Sequence, residues 1–126
     1  MAREFVAFDE DAIEEELDAL EKASISDLAK LDFCIRRYEQ VSPKENPSPA
    51  LVESFDEGFL ELRHIKGDYK GRLLFYIPKF PKGTEEMVML VVFRKQTQKT
   101  PQSIVKLAEK RMKADLTKRK QGERKK

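Results

Sequence analysis

The chain has no tryptophan, one cysteine and one histidine among its 126 residues. A lone Cys34 excludes an internal disulfide and any multi-cysteine metal site, and one imidazole, His64, leaves no ligand set for zinc. Long apolar runs are also missing. The stretch from Met87 to Phe93 suits a buried strand and is far too short to span a bilayer. No apolar core follows the first few residues, which run almost at once into an acidic segment, so a secretory leader is not expected and the protein reads as cytoplasmic. The length predicts one domain with a modest core that needs no staples.

What the chain does have is charge, unevenly spread. Lys, Arg, Asp and Glu make up 38% of it, yet the net charge is only +2. Residues 1–60 hold 16 acidic against 6 basic side chains, a net of −10, and residues 61–126 hold 7 against 19, a net of +12. Such a division either sets a field across the molecule that draws a polyanion to the basic half, or is neutralised as the halves pack together.

Periodicity divides the chain into elements. Arg3 to Phe8 reads as a first strand, and Asp9 or Asp11 caps a helix to about Lys22 whose Ile13, Leu17 and Leu20 form one stripe. Ser24 or Ser26 caps a second helix to about Gln40, with Leu28, Leu31, Ile35 and Tyr38 at helical spacing and Cys34 as a small core residue. The proline-bearing stretch Ser42 to Pro49 is a loop. Phe59 to Ile65, Arg72 to Ile77 and Met87 to Phe93 read as strands, the first two joined by a hairpin loop over Lys66 to Gly71. Short connections predict an antiparallel sheet. Thr100 then caps a last helix with Pro101 at its first position, and the basic residues 116–126 are expected to fray, which puts the domain at 1–115. Strands in a run with helices set apart indicate an α+β fold.

The most informative stretch is Phe93-Arg94-Lys95-Gln96-Thr97-Gln98-Lys99-Thr100-Pro101, where an apolar strand becomes a basic turn and then a helix. Clustered cations at the lip of a sheet suit a phosphate-bearing ligand. Together with Gly58-Phe59-Leu60-Glu61-Leu62-Arg63, Tyr69 and Arg72 ahead of Phe75-Tyr76, it resembles the RelE/ParE toxin superfamily, and within it the HigB-type, phage-derived branch. The likeness covers roughly Gly58 to Met112. The chain departs from the pattern in carrying Gln96 after Lys95 where the family has paired lysines, and Phe75 where a strand tyrosine is frequent, with Tyr76 beside it.

The resemblance implies a RelE-like fold, an N-terminal helical hairpin packed on a small antiparallel sheet with a C-terminal helix. It implies the toxin of a type II toxin–antitoxin pair, a ribosome-dependent messenger-RNA endonuclease working without metal or cofactor. A helix-turn-helix antitoxin would neutralise it and supply the only link to DNA, and no membrane is involved. Cleavage by a 2′-hydroxyl needs a base, cations for the crowded phosphate and an acid for the leaving 5′ oxygen.

Arg63 and Arg72 lie on consecutive strands and are the expected phosphate cations, since guanidinium forks donate paired hydrogen bonds. Lys95 is a base if neighbouring cations lower its pKa and a phosphate contact otherwise, and Tyr69 stacks on a base or donates a proton. Lys66, Lys70, Arg94 and Lys99 are the further RNA contacts. His64 shares strand parity with Leu60 and Leu62 and is assigned to packing. Two other readings stay open: a ParE-like toxin that inhibits gyrase and cuts nothing, and a phage-derived RNA-binding or interaction module without catalysis.

Overall fold

The computed structural model describes residues 3–40, 50–65, 68–78 and 85–124. Strand β1 (Arg3–Ala7) is followed by helices α1 (Glu10–Ala23) and α2 (Ile25–Glu39). Strands β2 (Ala50–Ser54), β3 (Leu60–His64), β4 (Gly71–Tyr76) and β5 (Glu85–Arg94) come next, and helix α3 (Gln102–Arg124) closes the chain. The class is α+β, with three helices on a five-stranded sheet of order β1-β5-β4-β3-β2.

Two details correct the expectation. The sheet is mixed, because β1 runs parallel to β5 while all other pairs are antiparallel. The two intervening helices return the chain across one face before the remaining strands are laid down, so β5 can enter beside β1 in the same direction. The hairpin that the resemblance places at the N-terminus follows β1, in agreement with the strand read at Arg3 to Phe8, and β2 has no counterpart in the sequence reading. Five residues after a proline-bearing stretch give too little alternation to read as a strand, and β2 is fixed by its pairing with β3 from Ala50↔His64 to Ser54↔Leu60. Between them, residues 55–59 turn tightly, with the Phe55 amide donating to the Phe59 carbonyl at 2.9 Å. Gly58 sits there at φ 105°, a left-handed conformation that favours glycine.

The sheet separates two apolar layers. On one side α1 and α2 bury Ile13, Leu20, Leu31, Cys34 and Tyr38 against Leu62, Leu73, Phe75, Met87 and Val92. On the other, α3 buries Val105, Ala108 and Met112 against Phe59, Leu74, Tyr76, Val88, Leu90 and Val91. Leu90 and Val91 both face α3 although neighbours in a strand should alternate. A bulge accounts for this: Leu74 pairs Val91 and Phe75 pairs Met89, which leaves Leu90 as the extra residue. The disturbed backbone finds side-chain partners, Glu16 accepting from the Val92 amide at 2.8 Å and Arg111 donating to the Leu90 carbonyl at 2.8 Å.

The N-caps of both hairpin helices follow the sequence. Asp9 accepts from the Ala12 amide and Ser24 from the Asp27 amide. At α3 the start moves by one residue. The Pro101 carbonyl takes the first helical bonds, from Ile104 and Val105, and the Thr100 hydroxyl turns elsewhere. The helix also continues to Arg124, past the expected fraying point. Asp115 is buried beneath it, Leu116 packs on the α3-side core, and Arg119 reaches Glu86 at 2.9 Å. The charge-divided halves meet in Arg94–Asp27 and Arg111–Glu16, while much of the acidic face of α1 remains in solvent. Among the described residues no helix is long and apolar enough to cross a membrane.

Cys34 is fully buried, and burial pushes its thiol up to about 11, with nearby Lys30 opposing. The raised value favours the neutral thiol in the folded state, so its stabilising contribution is whole below pH 9.0 and drains as pH rises towards about 11. The native protein is therefore expected to resist a thiol reagent at neutral pH and to react only when urea unfolds it. This thiol's own contribution to the urea midpoint is expected to decline only on the alkaline side. Rapid labelling of folded protein at neutral pH would contradict this account.

Candidate phosphate-binding cleft

The site lies at the end of β3, β4 and β5, on the face covered by α3. In β3, Leu60 and Leu62 point to the helical hairpin, so Glu61 and Arg63 point the other way. In β4, Arg72 shares parity with Leu74 and Tyr76, and beyond β5 Lys95 shares parity with Phe93. The β3–β4 register from Leu60↔Phe75 to Leu62↔Leu73, carried one residue further, sets Arg63 across from Arg72. Three of the four expected catalytic residues, Arg63, Arg72 and Lys95, are thus brought to one face.

At their centre is a residue that sequence reasoning used only as a family marker. Glu61 is 2% exposed. Its Oε2 accepts a hydrogen bond from Thr100 Oγ1 at 2.9 Å, and its Oε1 lies 3.7 Å from both Arg72 Nε and Lys95 Nζ. Arg72 is held from its other end, Nη1 donating to the carbonyls of Tyr69 at 2.8 Å and Gly71 at 3.0 Å. Its Nε is buried and makes no hydrogen bond. Burial lowers the Arg72 pKa, Glu61 opposes this and Arg63 adds to it, yet an arginine so placed keeps its charge at neutral pH. Arg63 is half-exposed and pairs with Glu53 at 2.5 Å. That pair matters because Glu53 stands directly across from Glu61, and like charges in register repel.

An open cleft of about 570 Å³ lies beside this cluster, lined by Asp68, Tyr69, Lys70, Arg72, Lys95, Gln96, Thr97 and Gln98. Lys95 is mostly buried at its edge, and exposed Gln96 presents a neutral amide where the resembled family has a second lysine. Lys70 and Lys99 are exposed, with Lys70 on the cleft wall. Lys66 lies outside the described residues.

The remaining expected residues are placed differently. Tyr69 lines the cleft, but its ring turns towards the hairpin side, 5.2 Å from the His64 ring and 5.4 Å from Lys30 Nζ, and its contribution to the cluster is the carbonyl that holds Arg72. Arg94 is not part of the cluster. One residue before Lys95, it points to the opposite face, where its Nε meets buried Asp27 Oδ2 at 3.0 Å. Strand alternation separates Arg94 from Lys95, and a reading that pooled the turn's cations could not see it.

Neither Phe75 nor Tyr76 offers the cleft a hydroxyl. Phe75 is in the hairpin-side core, and Tyr76 donates a short hydrogen bond to Asp115 beneath α3. Burial, then that bond, raises the Tyr76 pKa, so the phenol stays protonated across the neutral range. Among the described residues no His, Cys, Asp and Glu side chains gather as a metal-ligand set.

Residues 4–113 match a family model described as Phage derived protein Gp49-like (DUF891). No curated protein matches the chain.

Proposed function

The chain belongs to the phage-derived Gp49-like protein family, and from that premise we propose that it is the toxin of a toxin–antitoxin pair that cleaves messenger RNA on the ribosome. Family membership is consistent with the toxin of a toxin–antitoxin pair. The observation that carries the nuclease reading is Arg63, Arg72 and Lys95 on one face of the sheet, with Arg72 and Lys95 lining an open cleft. A phosphodiester is the ligand such a cleft suits, since it can accept from the guanidinium and ammonium groups together.

In the proposed reaction the ribose 2′ oxygen attacks the neighbouring phosphorus, its proton leaves to a base, and the 5′ oxygen departs with a proton. The products are a 2′,3′-cyclic phosphate and a free 5′ hydroxyl. Arg63 and Arg72 stabilise the added negative charge. Lys95 contacts the same phosphate, while Lys70 and Lys99 attract the strand electrostatically, a contribution that weakens with salt. A helix-turn-helix antitoxin is the proposed inhibitor.

Inducing the wild type beside an Arg63→Ala, Arg72→Ala double variant, and mapping messenger-RNA 5′ ends with growth, tests this. Growth arrest with new cuts in translated frames is expected, and the double variant should cut at least about a hundredfold more slowly, the scale seen when a transition-state donor is lost. Arg72→Lys keeps the charge beside Glu61 and controls for folding. Arrest without cleavage would point to a target such as gyrase, and no arrest to an interaction module.

A further inference from the structure

Glu61 is the buried group that the packing of the fold does not call for. It sits opposite Leu74 on the face where α3 buries Phe59, Leu74 and Val91, and an apolar side chain there would join that layer. A buried carboxylate is costly unless hydrogen bonds and opposite charges surround it. Glu61 has both, and its two oxygens divide the work. Oε2 takes the Thr100 hydroxyl at 2.9 Å, which ties down the turn over Gln96 to Lys99. Oε1 faces Arg72 and Lys95, each at 3.7 Å.

That distance is informative, because at 3.7 Å neither cation is in ordinary hydrogen-bonding range of the carboxylate. Glu61 attracts both without consuming their donors. Arg72 is aimed from two ends, its Nη1 fixed by the carbonyls of Tyr69 and Gly71 and its Nε drawn towards Glu61 but unbonded. We propose that Glu61 is a positioning residue. Its charge sets the direction of Arg72 and Lys95, its bond to Thr100 fixes the Gln96–Lys99 turn beside them, and both cations are thereby held at the cleft where an RNA phosphodiester would bind. This rests on the nuclease reading for its substrate.

Three variants separate positioning from mere structure. Glu61→Gln keeps the shape and still accepts from Thr100 but removes the charge. Thr100→Val removes the hydroxyl at constant volume, and Thr100→Ser restores it. Cleavage of a short messenger RNA on programmed ribosomes, and binding of its uncleavable 2′-methoxy counterpart, are read alongside thermal unfolding. Glu61→Gln is expected to bind the uncleavable RNA at least as tightly, one negative charge having left the cleft, while kcat falls about tenfold or more from misdirected cations. Thr100→Val is expected to lower kcat with KM unchanged, and Thr100→Ser to recover it. If Glu61→Gln does not fold, the Thr100 pair decides.

Folded variants that cleave at the wild-type rate would overturn the inference and leave the nuclease reading standing. If the wild type binds RNA but never cleaves it, the nuclease reading alone falls. The Arg72 Nε–H resonance then judges Glu61: it should shift on adding the uncleavable RNA in the wild type and shift less in Glu61→Gln, and equal responses refute the role. A wild type that binds no RNA and cuts none on ribosomes refutes both.

Discussion

Phe75→Ala is expected to cost about 3–5 kcal/mol, the range for removing a fully buried aromatic side chain and leaving a cavity. Phe75 is 0% exposed at the meeting point of three elements. Its ring packs edge-on against Phe5 of β1, with centroids 5.1 Å apart, and against Tyr38 of α2 at 5.7 Å. The same cluster secures β1, an edge strand whose Phe5 amide also donates to Glu39 of α2 at 2.8 Å. The loss should therefore be felt beyond β4. Urea unfolding measures the cost, and hydrogen exchange should show the amides of β1 losing protection first. Phe75→Leu, which keeps most of the volume, should cost less than about 1.5 kcal/mol. A Phe75→Ala protein as stable as wild type would mean that the hairpin-side core does not depend on this cluster.

Asp27→Ala is expected to destabilise by roughly 2–4 kcal/mol and to disturb the cleft as well. A buried carboxylate whose removal strands a cation costs roughly 3–5 kcal/mol, reduced here because the Arg94 side chain is 33% exposed and can turn to water. Asp27 lies at the start of α2 and spans the gap to two strands. Its Oδ1 accepts from the Lys70 amide at 3.0 Å and its Oδ2 from Arg94 Nε at 3.0 Å. The Lys70 carbonyl in turn accepts from the Lys95 amide at 2.8 Å, so Asp27 pins the strand ends from which Arg72 and Lys95 project.

Close packing reinforces this: a Cβ on Gly71 would meet the Asp27 carbonyl oxygen at 3.0 Å, a contact only a glycine permits without adjustment. Asp27→Asn should retain part of the stability, since its side-chain oxygen can still accept from Lys70 while the charge opposite Arg94 is gone. Thermal unfolding of both variants, compared with Arg94→Ala, apportions the effect. If Asp27→Ala and Arg94→Ala each cost nothing, the clamp is not structural.

Sequence alone determined the elements whose signals are local. The stripes of Ile13, Leu17 and Leu20 and of Leu31, Ile35 and Tyr38 required two amphipathic helices, and Asp9 and Ser24 marked their starts through short-range capping bonds. The apolar run from Met87 to Phe93 required a buried strand, and strand parity alone put Arg63 on the face opposite Leu60 and Leu62. The phage-derived character was legible for a similar reason, since the resemblance rests on short runs of neighbouring residues between Gly58 and Pro101.

Only the tertiary structure decided what depends on residues far apart in the chain. The direction of β1, the existence of β2 and the bulge at Leu90 follow from pairing partners tens of residues away. The cleft divided the basic turn, sending Lys95 to Glu61 and Arg94 to Asp27, because adjacent residues of a strand face opposite sides. Glu61 read as one more charged residue in a strand. Its meaning came from Thr100, Arg72 and Lys95 closing around it, and burial, which makes a carboxylate's partners matter, belongs to the folded molecule and to no single stretch of sequence.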